Sequence, residues 1–184
     1  MIEAANVSWF GKVIEAKRLV EEEYAMGVSQ SNGEVENSVK AIHAKIRTLK
    51  SALEANLKRR VDRDEALVPW MVIHSAEMIN RFQVGRDGKT PYERWKCKRF
   101  KTPMAEFGER VLYLKPKSKG KDKYESRWKE GIWIGAEDQS TEYRVVDENE
   151  IHRVSRIQRL ANTEDRWGTS LHQRIKVFPL GQED

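Results

Sequence analysis

The residues able to do chemistry are few and unevenly spread. Glu36 follows a Ser-rich Asn-Gly turn, residues 29–33, and stands at the head of a long apolar-periodic segment. Lys40, His43 and Arg47 follow it at steps of 4, 3 and 4, which puts all four on one face of a helix. A carboxylate with such neighbours fits one ligand of a divalent cation flanked by phosphate contacts. Mg²⁺ prefers carboxylate and water ligands, and phosphodiester transfer is helped by two metal ions, one activating the attacking oxygen and one stabilising the leaving oxygen. The same spacing also describes a solvated helix surface with a Glu36 to Lys40 pair worth about 0.3–0.5 kcal/mol. A second feature is the run of Lys115, Lys117, Lys119, Lys121 and Lys123 on alternate residues. In an extended segment these project to one side as a cationic arm, able to neutralise phosphates without reading bases. A solubilising lysine-rich turn is the alternative. The single Cys97 and the scattered His43, His74, His152 and His172 give no disulfide and no zinc-ligand spacing. Lys96, Lys98 and Arg99 around Cys97 would lower a thiol pKa, but no other part of a nucleophilic site accompanies it.

These residues need elements to position them, and periodicity supplies the outline. Residues 13–24 read as a short amphipathic helix. Residues 29–33 read as a loop delivering the chain into the next helix, because serine caps and Asn-Gly favour turns. In that helix Val35, Val39, Ile42, Ile46, Leu49, Leu53 and Leu57 recur at the spacing of one buried face, with Lys58, Arg59 and Arg60 at the negative pole of its dipole. A second helix is expected from Glu65 to Phe82, with Pro69 tolerated in its first turn. Trp70 and His74 on it read as packing residues. A short helix should begin at Pro91 and give way to a basic linker over residues 98–107. Strand character then appears at 110–114, 127–136, 142–147 and 150–160, with turn-rich pieces between, as in a small β-barrel. Tyr113, Trp128, Trp133 and Tyr143 in these runs fit either a barrel core or an aromatic cage, with core the commoner role for the tryptophans. The tail, 161–184, lacks periodicity and is expected to be loosely ordered.

The stretch Ser29-Gln30-Ser31-Asn32-Gly33-Glu34-Val35-Glu36-Asn37 resembles the signature around the last catalytic acid of retroviral and retrotransposon integrases, roughly S-x-Q-x-N-G-x-x-E. The helix that follows, with its Arg47-Thr48-Leu49, resembles the long helix of that family. PYERWKCKRF and FGERVLYLKPKSKGKDK…SRWKEGIWIGAED look like the post-catalytic region of copia-like retrotransposon polyproteins, so the resemblance spans about residues 13–160. It implies an α+β chain: the helical C-terminal part of a ribonuclease-H-like core over 1–97, a linker over 98–107 and a small SH3-like β-barrel over 108–160. It also implies a polynucleotidyl transferase with Mg²⁺ or Mn²⁺ in the intact enzyme, Glu36 as catalytic acid and metal ligand, and Gln30, Asn32, Lys40, His43, Arg47 and the five lysines as nucleic-acid contacts. DNA, the remainder of the polyprotein and a second copy of the chain are the implied partners. The family needs two aspartates before its glutamate, whereas here the first aspartate is Asp62. The expectation is therefore a fragment that begins inside the core and is inactive by itself. A non-catalytic DNA- or chromatin-binding module, or a retroelement remnant with a partly exposed apolar helix face, are the alternatives.

Composition agrees with such partners without requiring them. The net charge of +5 on 184 residues conceals two basic blocks, +4 over residues 34–60 and +8 over 85–131, separated by acidic stretches. With 39% hydrophobic residues, six tryptophans and five each of tyrosine and phenylalanine, wholesale disorder is excluded. The sequence holds no apolar run of membrane-spanning length and does not open on a secretory pattern, which makes a nuclear or cytosolic setting the expectation.

Overall fold

The computed structural model describes residues 29–114 and 127–179. Within them the chain is α+β. Its helices are α1 (Ser29–Leu57), α2 (Leu67–Phe82), α3 (Pro91–Lys96), α4 (Thr163–Arg166) and α5 (Thr169–His172). Its strands are β1 (Arg110–Leu114), β2 (Trp128–Ala136), β3 (Tyr143–Val146), β4 (Ile151–Val154) and β5 (Ile157–Arg159). The strands form one open antiparallel sheet in the order β4-β3-β2-β1-β5. No helix among the described residues is long and apolar enough to cross a membrane. The expected helix over 13–24 and the lysine run 115–123 lie outside the described residues.

Among the described residues, 29–40 belong to one compact unit and 41–114 with 127–179 to a second. In the first, the described part is the start of α1. The second is a single unit across the boundaries expected at 97 and 108, because helix and sheet share buried side chains. His74 of α2 stacks on Phe107 at 5.1 Å and meets Trp133 of β2 edge-on at 5.4 Å. Residues 98–107 are not a free linker either. Ala105 and Phe107 are buried, and the Gly108 amide donates to the Trp133 carbonyl at 3.0 Å. Gly108 has φ +82 and lies so close to Leu53 that a Cβ there would come within 2.5 Å of Leu53 Cδ1; both demand glycine.

The tail corrects another expectation. Leu171, His172 and Ile175 are buried, and Trp70 Nε1 donates to the Val177 carbonyl at 2.9 Å. His172 Nε2 lies 2.6 Å from the Gly108 carbonyl and Nδ1 lies 3.0 Å from that of Gly168. Residues 163–177 therefore dock through scattered anchors rather than through a periodic face, which is why no pattern in the sequence announces them.

The sheet is strongly curled. Edge strands β4 and β5 are separated in sequence only by Ser155 and Arg156. In a flat five-stranded sheet they would lie about 19 Å apart, whereas the three steps from Val154 to Ile157 span at most about 11 Å. The Leu114 amide donates to the Arg156 carbonyl at 3.2 Å, tying that short link to the end of β1. Inside the curl, Val111, Tyr113, Trp133, Val145 and Val154 form a buried cluster with Ala105. β2 is buried from Gly131 through Ala136 because α2 and α5 also pack on it. The sequence reads that strand as only partly alternating for this reason.

Candidate nucleic-acid interface

Helix α1 starts at Ser29, so residues 29–33 are helical and not a loop ahead of the helix. Gly33 does not take a positive φ and a Cβ there would meet nothing within 4 Å. Turn propensity is a weak local preference that an adjoining amphipathic helix overrides. Glu36 thus lies about two turns into α1 instead of in its first turn. Gln30 and Asn32 belong to the helix, and their side chains lie outside the described ones.

Glu36, Lys40, His43 and Arg47 are all exposed on α1. Lys40 Nζ is 3.8 Å from Glu36 Oε2, with the two side chains 73% and 69% exposed, a surface pair that water largely screens. Such a row can present cations to a polyanion. Mg²⁺ needs several converging oxygens, and among the described residues no group of three or more His, Cys, Asp or Glu side chains that could hold an ion occurs.

A second cationic surface lies in the unit of residues 41–181, where sequence reading saw only a linker. Thr90 and Glu93 form a capping box that starts α3, Pro91 sits in its first turn, and Cys97 ends it in the left-handed region with φ 54, exposed. The chain then passes Lys98, Arg99 and Lys101 along one side of a groove of about 820 Å³ whose other side is the β2–β3 turn, with Gln139, Ser140 and Thr141. Its signal in the sequence is the net +8 of residues 85–131, a block that also holds the alternating lysines 115–123.

What fixes the two walls is a buried ionic junction between α2 and the sheet. Arg81, with its side chain fully buried, donates from Nη2 to the Ala136 carbonyl at 2.6 Å and to Asp138 Oδ1 at 2.6 Å. Its guanidinium carbon also sits 4.6 Å above the Phe100 ring, which meets Phe82 and Tyr92 edge-on at 5.9 and 5.4 Å. Glu77 accepts from Arg144 and lies 3.5 Å from Arg81 Nη1. Burial, together with the charges of Arg81 and Arg144, pushes the His74 imidazole down to about 3, so it is neutral at physiological pH.

Of the four aromatic residues, Tyr113 and Trp133 are fully buried and cannot line an open cage; Tyr143 is half-buried, and Trp128 is exposed rather than in the core role expected for it, because the first three residues of β2 lie outside the covered part of the strand. Tyr113 donates from its hydroxyl to Asp147 Oδ2 at 3.3 Å and stacks on His152, which is 2.7 Å from the same oxygen. Burial and the Asp147 charge push the Tyr113 phenol up. Burial opposes ionisation of Asp147, but His152 and the amides of Asn149 and Glu150 outweigh it and hold the carboxyl below its usual range. This is a clasp on the β3–β4 hairpin. No family model matches the sequence, and neither a curated protein nor a solved structure matches it.

Proposed function

We propose that this chain is a nucleic-acid-binding segment of a retrotransposon-type integrase, contributing DNA contacts rather than chemistry. The observation that carries this reading is the exposed row of Lys40, His43 and Arg47 on α1, following Glu36 of the stretch that resembles the integrase signature. A curled sheet in the order β4-β3-β2-β1-β5, with a two-residue link between its edges, supports the SH3-like reading of residues 108–160. The helices α1 and α2 stand, in this reading, for the C-terminal part of a ribonuclease-H-like core. The family's Mg²⁺ or Mn²⁺ strand transfer needs two aspartates besides Glu36, and no aspartate precedes Glu36 in this sequence. Glu36 is then a family residue without its two partners.

Titration of the full chain with a labelled DNA duplex, by fluorescence anisotropy at several salt concentrations, tests the reading. Binding should weaken steeply with salt, and K40E/R47E should flatten the salt dependence by about one unit of logarithmic slope per lost phosphate contact. Absence of binding at low salt would remove the proposal. No nicking or strand transfer is expected with Mg²⁺ or Mn²⁺; metal-dependent activity lost in Glu36→Gln would show that the chain is catalytic after all.

A further inference from the structure

The groove between residues 96–103 and the β2–β3 turn has the charge, anchoring and size of a ligand site. Lys96, Lys98, Arg99 and Lys101 are strung along six residues of chain on one wall. Lys98 and Lys101 are exposed and have no hydrogen-bond or ion-pair partner among the described residues. Arg99 pairs with Glu93 at 2.8 Å yet stays 81% exposed. The one acid on the lining, Asp138, is already neutralised from behind by the buried Arg81. The facing turn lines the groove with Gln139, Ser140 and Thr141; its flanking acids lie off the lining, Glu137 beside Arg144 and Arg153, and Glu142 accepting from Ser140 Oγ at 3.1 Å.

This wall is not a loose basic run. Phe100 lies in its middle, between the rings of Phe82 and Tyr92 and under the Arg81 guanidinium. Arg81 also binds the Ala136 carbonyl and Asp138, so one buried side chain fixes both sides of the groove. Cations held in a row on a fixed wall suit a chain of regularly spaced negative charges better than one small anion, which converging donors would hold. At about 820 Å³ the groove is the size of a small-molecule pocket, room for one or two nucleotides but far too small to admit a duplex. Tyr92 and Tyr143 on its lining supply aromatic surface of the kind that single-strand sites use beside a cationic track.

We infer that this groove binds the sugar–phosphate backbone of an unpaired nucleic-acid strand, with Lys98 and Lys101 on the phosphates. The inference rests on the reading of the chain as nucleic-acid-binding, but on a different surface from the α1 row. Binding should be tolerant of sequence, since the wall presents point charges and no bidentate reader directed at bases. It would serve a strand end or a locally opened duplex.

The test uses the full chain and a labelled oligo-dT, with the matched duplex and poly-glutamate as competitors, read by fluorescence anisotropy. The variants are K98E/K101E in the groove and K40E/R47E on α1. Oligo-dT should displace the label at lower concentration than the duplex or poly-glutamate. K98E/K101E should raise the Kd for oligo-dT about tenfold and lower its logarithmic salt slope by about 1.4, while K40E/R47E should affect the duplex more. All four positions are exposed, and an unchanged melting curve confirms that the variants fold. Unaltered oligo-dT binding by K98E/K101E overturns the groove assignment and leaves the α1 reading standing. Displacement by poly-glutamate as effective as by oligo-dT assigns the groove to an acidic protein and also overturns it. No binding of any nucleic acid by the unmodified chain removes both readings together.

Discussion

At residues 77, 81 and 144 three charges meet in one buried junction, with Glu77 3% exposed, Arg81 fully buried and Arg144 12% exposed. Removing one partner of a buried ion pair leaves the other desolvated and uncompensated, typically at a cost of about 3–5 kcal/mol. Glu77→Ala should therefore shift the urea midpoint strongly downward, and Glu77→Gln, which keeps an acceptor for Arg144, should shift it less. Equal midpoints for the two variants would show that hydrogen bonding is irrelevant there. Beside this junction, His74 is neutral in the fold, with a pKa of about 3, and titrates near 6.5 when unfolded. The depressed value makes its contribution complete above pH 6.5 and progressively lost as pH falls toward 3, because the unfolded chain takes up a proton that the folded chain refuses. Between pH 6.5 and 5, where carboxylates remain ionised, it should cost up to about 1.4 kcal/mol per pH unit. Replacing His74 by Phe should flatten that limb of a stability-against-pH curve; His172, also pushed down by burial, contributes to the same limb. The packing role of His74 was legible from its place on an apolar helix. The charge it must not carry was not, since Arg144 is distant in sequence.

Helix α1 shows how far periodicity reaches. Seven apolar residues mark one face, yet Leu53 and Leu57 are 1% and 4% exposed while Val39 is 38% exposed. Ile42, Ile46 and Leu49 are half-buried. The pattern fixes which residues share a face, whereas burial depends on what the fold lays against each turn of it. Leu53 packs against Gly108, and the turn after α1 is closed by Lys50 Nζ on the Val61 carbonyl at 2.7 Å and by Glu54 on the Val61 amide at 2.9 Å. Leu53→Ala should destabilise by about 2–5 kcal/mol through the cavity it opens. Val39→Ala, with little surface removed from water, should stay within about 1 kcal/mol in the same denaturant series. A comparable loss at both positions would mean that Val39 is covered in solution.

For the molecule as a whole, the expected separation into helical part, linker and barrel gives way to one compact unit over residues 41–181. Phe107, Trp133 and the Arg81 junction cross the expected boundaries, so the sheet lacks a complete core without α2 and the tail. A fragment of residues 108–160 should accordingly show no cooperative melting transition, while residues 41–181 should melt in a single step by circular dichroism and tryptophan fluorescence alike. A cooperative transition in the shorter fragment would establish the sheet as an autonomous domain. The sequence by itself determined the α+β class, the places of the first three strands, the helices from residues 65 and 91 to within two residues, and the two basic blocks; the run 150–160, read as one strand, is broken at Ser155 and Arg156 into β4 and β5. What the sequence determined follows from local chemistry: side-chain periodicity, capping and turn residues, and charge counted along the chain. Only the tertiary structure decided that residues 29–33 are helical and that the tail docks. It alone decided that Tyr113 is core while Trp128 is exposed, and that the basic stretch 96–101 forms one wall of a groove. Each of these depends on partners brought together from distant segments, as when Arg81 joins Phe100 to Asp138, and no spacing along the chain encodes such a meeting.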